Sequence, residues 1–214
     1  MYSTLVIMAS ALFALLCRLR TPFPPGRFAQ LVESWVLLAV AVELVGGVLN
    51  LAGWKNNDLY IVFCAVEFVL LTFIASAARG TTSKWTGPVI GVFLAGWLLE
   101  FASIWGQNKF VIYSLMAGAF WLVGLYLLRL WELVNTWSGD LRNAPQFWLC
   151  LVVLLYFGAA APLIGTVNYF NGVDPPLAKR LYFGVRVLCV IKFILMGITC
   201  LRMRPTPLAD ERTG

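Results

Sequence analysis

The chain has 214 residues, of which 61% are hydrophobic, 14% aromatic and only 12% charged, and its formal net charge is +6. A soluble domain carries about 25% charged residues, so this composition excludes an ordinary water-soluble protein and indicates a chain solvated mostly by lipid. The positive charge does not require a nucleic acid, because basic residues on one side of a membrane account for it.

Long apolar runs separated by short polar or Pro- and Gly-rich breaks predict seven transmembrane helices. Each needs about 20 residues to cross a hydrocarbon layer of ~30 Å. In chain order the predicted spans are 2–17, 28–53, 59–78, 85–105, 110–130, 147–167 and 181–201. We therefore expect residues 1–214 to form one all-α, polytopic membrane domain, with 202–214 as a cytoplasmic tail.

The first span and the connections predict the orientation. No positive charge precedes the first apolar run, whereas Arg18 and Arg20 follow it, which is the reverse of a signal peptide and indicates a true first helix. The connections collect ten Lys and Arg residues on one side and four on the other. Because basic residues concentrate on the cytoplasmic side, we expect the N-terminus outside and the C-terminus inside, in a bacterial inner (plasma) membrane.

The second and third spans each carry a glutamate at membrane depth. Glu43, Gly47 and Asn50 are offset by four and seven residues, so they share one stripe of the second helix, and the glycine lowers the wall beside the acid. Tyr60 and Glu67 share a stripe of the third helix in the same way. At ~1.5 Å of rise per residue, Glu43 lies about 16 Å and Glu67 about 12 Å from the outer helix ends.

The fourth and seventh spans add three more charges. Glu100 and Arg186 lie about 8–9 Å from the outer ends of their helices, and Lys192 about 16 Å. Arg186 and Lys192 point about 120° apart and so face different neighbours. We expect an outer pair of Glu100 with Arg186, and a middle layer in which Glu43 and Glu67 surround Lys192.

These five charges are candidates for a functional site. Facing lipid, they would together cost on the order of 12–18 kcal/mol, so we expect them to face the bundle interior. Three glutamates against two cations leave one excess negative charge, which a protonated glutamate or a bound cation would neutralise. The predicted ligand-binding or proton-relay residues line a polar cavity open to the outside: Glu43, Asn50, Tyr60, Glu67, Glu100, Arg186 and Lys192.

Histidine is absent from the chain. Its absence excludes the usual Ser-His-Asp and Cys-His catalysts and His-ligated zinc, haem or copper. The cations beside the three glutamates argue against a carboxylate-only metal site. We therefore predict no catalytic residues, no metal and no cofactor, and a protein that is not an enzyme.

One pattern resembles a family of seven-helix bacterial membrane proteins found beside sensor kinases. It consists of Tyr60, six further residues and then Glu67-Phe68, together with Pro145-Gln146-Phe147-Trp148 running to Tyr156. The resemblance implies a sensory or accessory role without intrinsic catalysis. Apart from this resemblance, we expect the lipid bilayer as a partner, and a cytoplasmic signalling protein that meets the basic tail after the seventh helix.

A second pattern resembles the microbial rhodopsins. It consists of a lysine, Lys192, midway along the last span and a carboxylate, Glu67, on the third. The resemblance implies a retinal-binding protein in which Trp121 and Trp148 flank the polyene.

The sequence thus predicts a sensory or accessory protein that binds a small polar or cationic ligand, or a proton, in the outward-facing cavity. The alternatives are a secondary transporter or channel-like carrier, a retinal-binding protein and a structural assembly subunit. A carrier should have discontinuous helices at mid-membrane, for which Pro162 in the sixth span is the candidate break. A structural subunit should close all five charges into internal pairs. The oligomeric state is left open.

Overall fold

Seven long α-helices form the computed structural model, which describes residues 2–80, 84–104 and 111–203. Each helix is long and apolar enough to cross a membrane, so the prediction of an all-α chain, consistent with a multi-pass membrane protein, is confirmed. Most of the predicted tail, and positions 105 and 110 at the ends of two predicted spans, lie outside the described residues. The helices are α1 (Tyr2–Arg20), α2 (Arg27–Leu51), α3 (Asn57–Ala78), α4 (Thr86–Ile104), α5 (Ile112–Thr136), α6 (Pro145–Asn171) and α7 (Pro175–Arg202).

Two helices extend well beyond the apolar runs that predicted them. α5 continues past 130 to Thr136, and Glu132 on this extension forms an ion pair with Arg129 one turn earlier. α7 begins at Pro175, six residues before the predicted start at 181. Its beginning is fixed by Asp174, whose side chain accepts a hydrogen bond from the Leu177 amide, and by the proline in the first turn.

α6 is continuous through its internal proline. The helix runs from Pro145 to Asn171 without interruption, and the Thr166 hydroxyl donates to the Pro162 carbonyl oxygen at 2.7 Å. Proline is tolerated in membrane helices, although it frees the carbonyl oxygen four residues earlier, here that of Gly158, which is not the group that Thr166 contacts. The break that Pro162 suggested is therefore not present.

Six of the helices form a closed ring, and the seventh packs on its outside. α1 packs on α2 and α7, α2 on α3, α3 on α5, α5 on α6, and α6 on α7. α4 packs mainly against α3 and α5, on the outside of the ring, and Thr86 and Ile90 are its buried residues. The interior of the ring is therefore formed by α1, α2, α3, α5, α6 and α7.

Small residues allow close helix contacts on both sides of α1. A Cβ atom on Gly47 of α2 would lie 2.5 Å from the Met8 sulfur, and one on Gly197 of α7 would lie 2.7 Å from the Phe13 ring. Glycine permits such approaches between membrane helices, where packing rather than hydrophobic exclusion drives association. Met8 thus fills the gap beside Gly47 that the sequence suggested as part of a cavity wall.

Ion pairs lie at one end of the bundle. Arg18 of α1 pairs with Glu33 of α2, and Glu132 of α5 pairs with both Arg79 and Arg129. These residues lie at the ends of α1, α3 and α5 and at the beginning of α2, which share one side because successive helices alternate in direction. This is the side that the distribution of basic residues predicts to be cytoplasmic.

Candidate functional site

An ion pair between α3 and α7 lies at the centre of the bundle. The Lys192 ammonium donates to Oε1 of Glu67, and the two side chains are only 4% and 2% exposed. The indole Nε1–H of Trp35 on α2, itself fully buried, donates to the same oxygen at 2.9 Å. Side chains from three helices therefore meet at one carboxylate oxygen. The predicted pairing of Lys192 with Glu67 is confirmed.

Aromatic rings surround the Lys192 ammonium. Its nitrogen lies 4.3 Å from the ring centroid of Tyr156, 5.4 Å from that of Phe63 and 6.0 Å from that of Phe157. Each such contact contributes about 0.5–2 kcal/mol, and more where the cation is desolvated. The rings and the carboxylate together replace the water that an ammonium group would otherwise require.

A second carboxylate lies close to this pair. Glu43 of α2 accepts a hydrogen bond from the Tyr60 hydroxyl at 3.3 Å, and the charge of Lys192 acts on it. Gly46 makes this contact possible, because a Cβ atom there would lie 2.5 Å from the Tyr60 hydroxyl oxygen. The cluster thus holds two carboxylates, Glu43 and Glu67, and one ammonium group.

Glu100 lies away from this cluster, at the junction of α4 and α5. Its two carboxylate oxygens accept hydrogen bonds from the backbone amides of Ile112, Tyr113 and Ser114, at 2.6, 2.9 and 2.7 Å. These amides belong to the first turn of α5, whose N–H groups have no partner within the helix. Glu100 therefore caps a neighbouring helix.

The predicted pair of Glu100 with Arg186 is wrong. The Arg186 guanidinium donates to the Ser3 hydroxyl on α1 and lies 4.9 Å from the ring centroid of Tyr182. The pair fails because α7 packs between α1 and α6, whereas α4 packs on α3 and α5 outside the ring. The prediction that Arg186 and Lys192 face different neighbours is confirmed.

The structure brings four of the seven predicted site residues together and separates the other three. Glu43, Tyr60, Glu67 and Lys192 form one cluster, which we call the central cluster. Asn50 is exposed near the outer end of α2, and Glu100 and Arg186 have the separate partners described above. The depth of a residue along its helix is predictable from sequence, but the neighbours of that helix are not. The expected middle layer therefore forms, because α2, α3 and α7 meet, whereas the expected outer pair does not, because α4 and α7 are apart.

Two cavities lie next to α4, and neither is lined by Glu43, Tyr60, Glu67 or Lys192. One, of about 20 Å³, is lined by α3, α4, α5 and Phe157 of α6, and the other is a groove of about 730 Å³ between α4 and α5. They share Phe68, Phe93 and Gly118. Of the predicted site residues, only Glu100 lines either of them.

Sequence reasoning gave no role in the site to Trp35, Phe63, Tyr156 or Phe157. Trp35 carried one usable signal, because a buried indole N–H needs an acceptor and the nearby spans offered glutamates. The rings could not be assigned, since aromatic residues are frequent throughout the chain. The tryptophans expected to flank a polyene lie elsewhere: Trp121 lines the α4–α5 groove, and Trp148 donates to the Arg142 carbonyl oxygen at 2.8 Å.

Comparison of the chain with protein-family models, curated proteins and solved structures gave no match. The resemblances to proteins beside sensor kinases and to microbial rhodopsins therefore stay predictions. The fold by itself supports only a broad class of protein, a helical chain with seven segments that are long and apolar enough to span a membrane.

Proposed function

We propose that this protein is a sensory or accessory protein of the bacterial inner membrane in which a proton or small cation binds at Glu43. The observation that carries the proposal is the composition of the central cluster, with two carboxylates and one ammonium group in close proximity. A desolvated site is unfavourable with an uncompensated charge. A proton or cation at Glu43 would make the cluster neutral.

The proposed mechanism is a change in the interactions of Lys192. When Glu43 is charged, it competes with Glu67 for the ammonium group; when a proton or cation neutralises it, Lys192 is held by Glu67 alone. Because Lys192 belongs to α7, this competition shifts α7 relative to α2 and α3. A cytoplasmic signalling protein would detect the movement at the inner end of α7, near Arg202.

The continuity of the helices favours a sensor over a carrier. Carriers commonly build their sites from discontinuous helices near the membrane midplane, whereas α6 is unbroken at Pro162 and the other described helices are also continuous.

One observation favours a structural subunit as a second candidate: Glu43, Glu67, Glu100, Arg186 and Lys192 all have partners within the described residues.

Thermal unfolding separates these candidates. Ligands that bind only the folded state raise its stability with concentration. We expect the Tm of the purified protein to depend on pH or on the concentration of Na⁺ or methylammonium, and we expect Glu43→Gln to abolish this dependence. The control is Asp58→Asn, which removes an exposed carboxylate in the first turn of α3 and should leave the dependence unchanged.

Two outcomes would contradict the proposal. If the Tm of Glu43→Gln depends on pH or cation concentration as that of the wild type does, Glu43 is not the binding residue. A Tm independent of both pH and cations would favour the structural subunit. The carrier hypothesis is tested by measuring proton and cation flux through the reconstituted protein. Flux that is present in the wild type and lost in Lys192→Met, while the variant stays folded, would favour transport.

A further inference from the structure

The groove between α4 and α5 is a site of a different kind from the central cluster. Its volume of about 730 Å³ falls within the ~300–1,000 Å³ usual for ligand sites. Its α4 side is a single stripe that runs from Trp85 through Val92 and Gly96 to Glu100, a length of about 22 Å. The groove therefore extends along most of a hydrocarbon layer ~30 Å thick.

The groove opens sideways, toward the bilayer. Val92 is 76% exposed and Trp121 is 41% exposed, and both line the groove on the outer side of the ring. Small residues, Gly96 on α4 and Ala117 on α5, form part of its lining. What reaches this site must come from the lipid phase, and its shape suits a single apolar chain.

A carboxylate lies at one end of the apolar groove. Glu100 accepts three amide hydrogen bonds from the first turn of α5, and a helix N-terminus contributes only about half a positive charge. Within the described part of the chain, Glu100 forms no ion pair with a lysine or arginine. The charge left at this end is complementary to a cationic group at the membrane surface, with the exposed Tyr113 and the Ser114 side chain beside it.

We propose that the α4–α5 groove binds a lipid with an amine headgroup, such as phosphatidylethanolamine. One acyl chain lies along Val92, Gly96 and Trp121, and the ammonium group contacts the Glu100 carboxylate. An anionic lipid such as phosphatidylglycerol places a phosphate and hydroxyl groups at Glu100 and is disfavoured there. The carboxylate thus selects the headgroup, and the groove accommodates the chain.

Quenching of tryptophan fluorescence by brominated acyl chains tests this site. The full-length protein is reconstituted in phosphatidylcholine vesicles containing increasing fractions of brominated phosphatidylethanolamine or brominated phosphatidylglycerol. The signal of Trp121 is obtained by difference from Trp121→Phe. We expect saturable quenching of Trp121 at about tenfold lower fractions of the ethanolamine lipid, a ratio that Glu100→Gln reduces to about one.

The chain's net positive charge makes this preference informative. General attraction to basic residues favours the anionic lipid, so preference for phosphatidylethanolamine at Trp121 has to come from the groove. Gly96→Leu fills the groove, because only the Ser114 hydroxyl lies near a Cβ atom there, at 4.0 Å, and it should remove saturable quenching. Gly91→Leu, on the same helix but with no neighbouring atom within 4 Å and outside the groove lining, should behave as wild type.

Each remaining outcome overturns the proposal. Equal quenching by both lipids means that Glu100 selects no headgroup. Saturable quenching that persists in Gly96→Leu means that the lipid does not lie in the groove. Absence of quenching by either lipid means that something other than lipid, such as a second copy of the chain, covers it. Ala117→Leu fills the groove from α5 and replaces Gly96→Leu if that variant does not fold.

Discussion

Lys192 is the residue on which the central cluster depends. A buried ion pair is favourable only where geometry and additional hydrogen bonds offset desolvation, and removal of one partner leaves an uncompensated charge. In this protein the offset comes from Glu67, from the Trp35 indole on the same oxygen and from the ring of Tyr156. The pair links α3 to α7, and Trp35 links both to α2.

Substitution of the two partners tests this interaction. We expect Lys192→Met to lower the free energy of unfolding by about 3–5 kcal/mol, because Glu67 is left buried and charged. The double variant Lys192→Met/Glu67→Gln should recover most of this loss, because the remaining amide can still accept from Trp35. Equilibrium unfolding in mixed detergent micelles measures both.

Lys179→Met provides the control for this comparison, because it removes an exposed lysine from the same helix. Its effect should stay within about 0.5 kcal/mol. A double variant as unstable as Lys192→Met would show that lost packing, and not the buried charge, accounts for the effect.

At the scale of the elements, Glu100 provides the polar connection between α4 and α5 within the described residues. α4 has few buried residues, and its apolar surface gains little by leaving lipid for protein. The three hydrogen bonds to Glu100 instead satisfy amides that would otherwise be unpaired at the start of α5. This capping fixes the end of α4 against α5 at one end of the groove between them.

Replacement of Glu100 should affect the beginning of α5 locally. We expect Glu100→Ala to destabilise the protein by about 1–3 kcal/mol, because the amides at the start of α5 lose their hydrogen-bond acceptor. Amide hydrogen exchange at residues 112–114 should accelerate while exchange in α2 and α3 stays unchanged, as measured by mass spectrometry. Leu99→Ala, at a neighbouring position that is 76% exposed, should leave exchange at 112–114 as in the wild type. Equal acceleration in both variants would contradict the capping role.

At the scale of the whole molecule, the prediction concerns the orientation of the helices in the membrane. α1 closes the ring against α7, and the ion pairs of Glu33 and Glu132 lie at the end that collects most of the basic residues. Because Lys and Arg near helix ends are retained on the cytoplasmic side, we expect α1 to start outside and α7 to end inside.

Reporter fusions test this orientation. Green fluorescent protein fused after Gly214 should fluoresce and alkaline phosphatase at the same position should be inactive, since the first matures in the cytoplasm and the second outside it. Fusions after Gly53, in the connection between α2 and α3, should give the opposite pattern. An active phosphatase after Gly214 would overturn the predicted orientation and place the central cluster on the other half of the membrane.

The fold class followed from the sequence because its signal is local. An apolar run of about 20 residues must be a helix if it crosses lipid, since no other partner exists for its backbone groups. The same reasoning predicted that all five charges face the interior, which is correct for Glu67 and Lys192 but wrong for Glu100, because α4 packs outside the ring. The six-residue offset correctly predicted different neighbours for Arg186 and Lys192. Helix ends were less accurate, because polar residues outside the apolar runs, Asp174 before α7 and Glu132 in α5, take part in the helix ends.

By itself the sequence determined that this chain is a bundle of seven apolar helices, with charges at membrane depth that need partners. Only the tertiary structure decided which partners they have: Glu67 for Lys192, Tyr60 for Glu43, and the amides of α5 for Glu100. The physical reason is that rise and rotation along a helix fix the depth and direction of a side chain. The order of helices around the ring, and the position of α4 outside it, depend on packing between segments far apart in the chain.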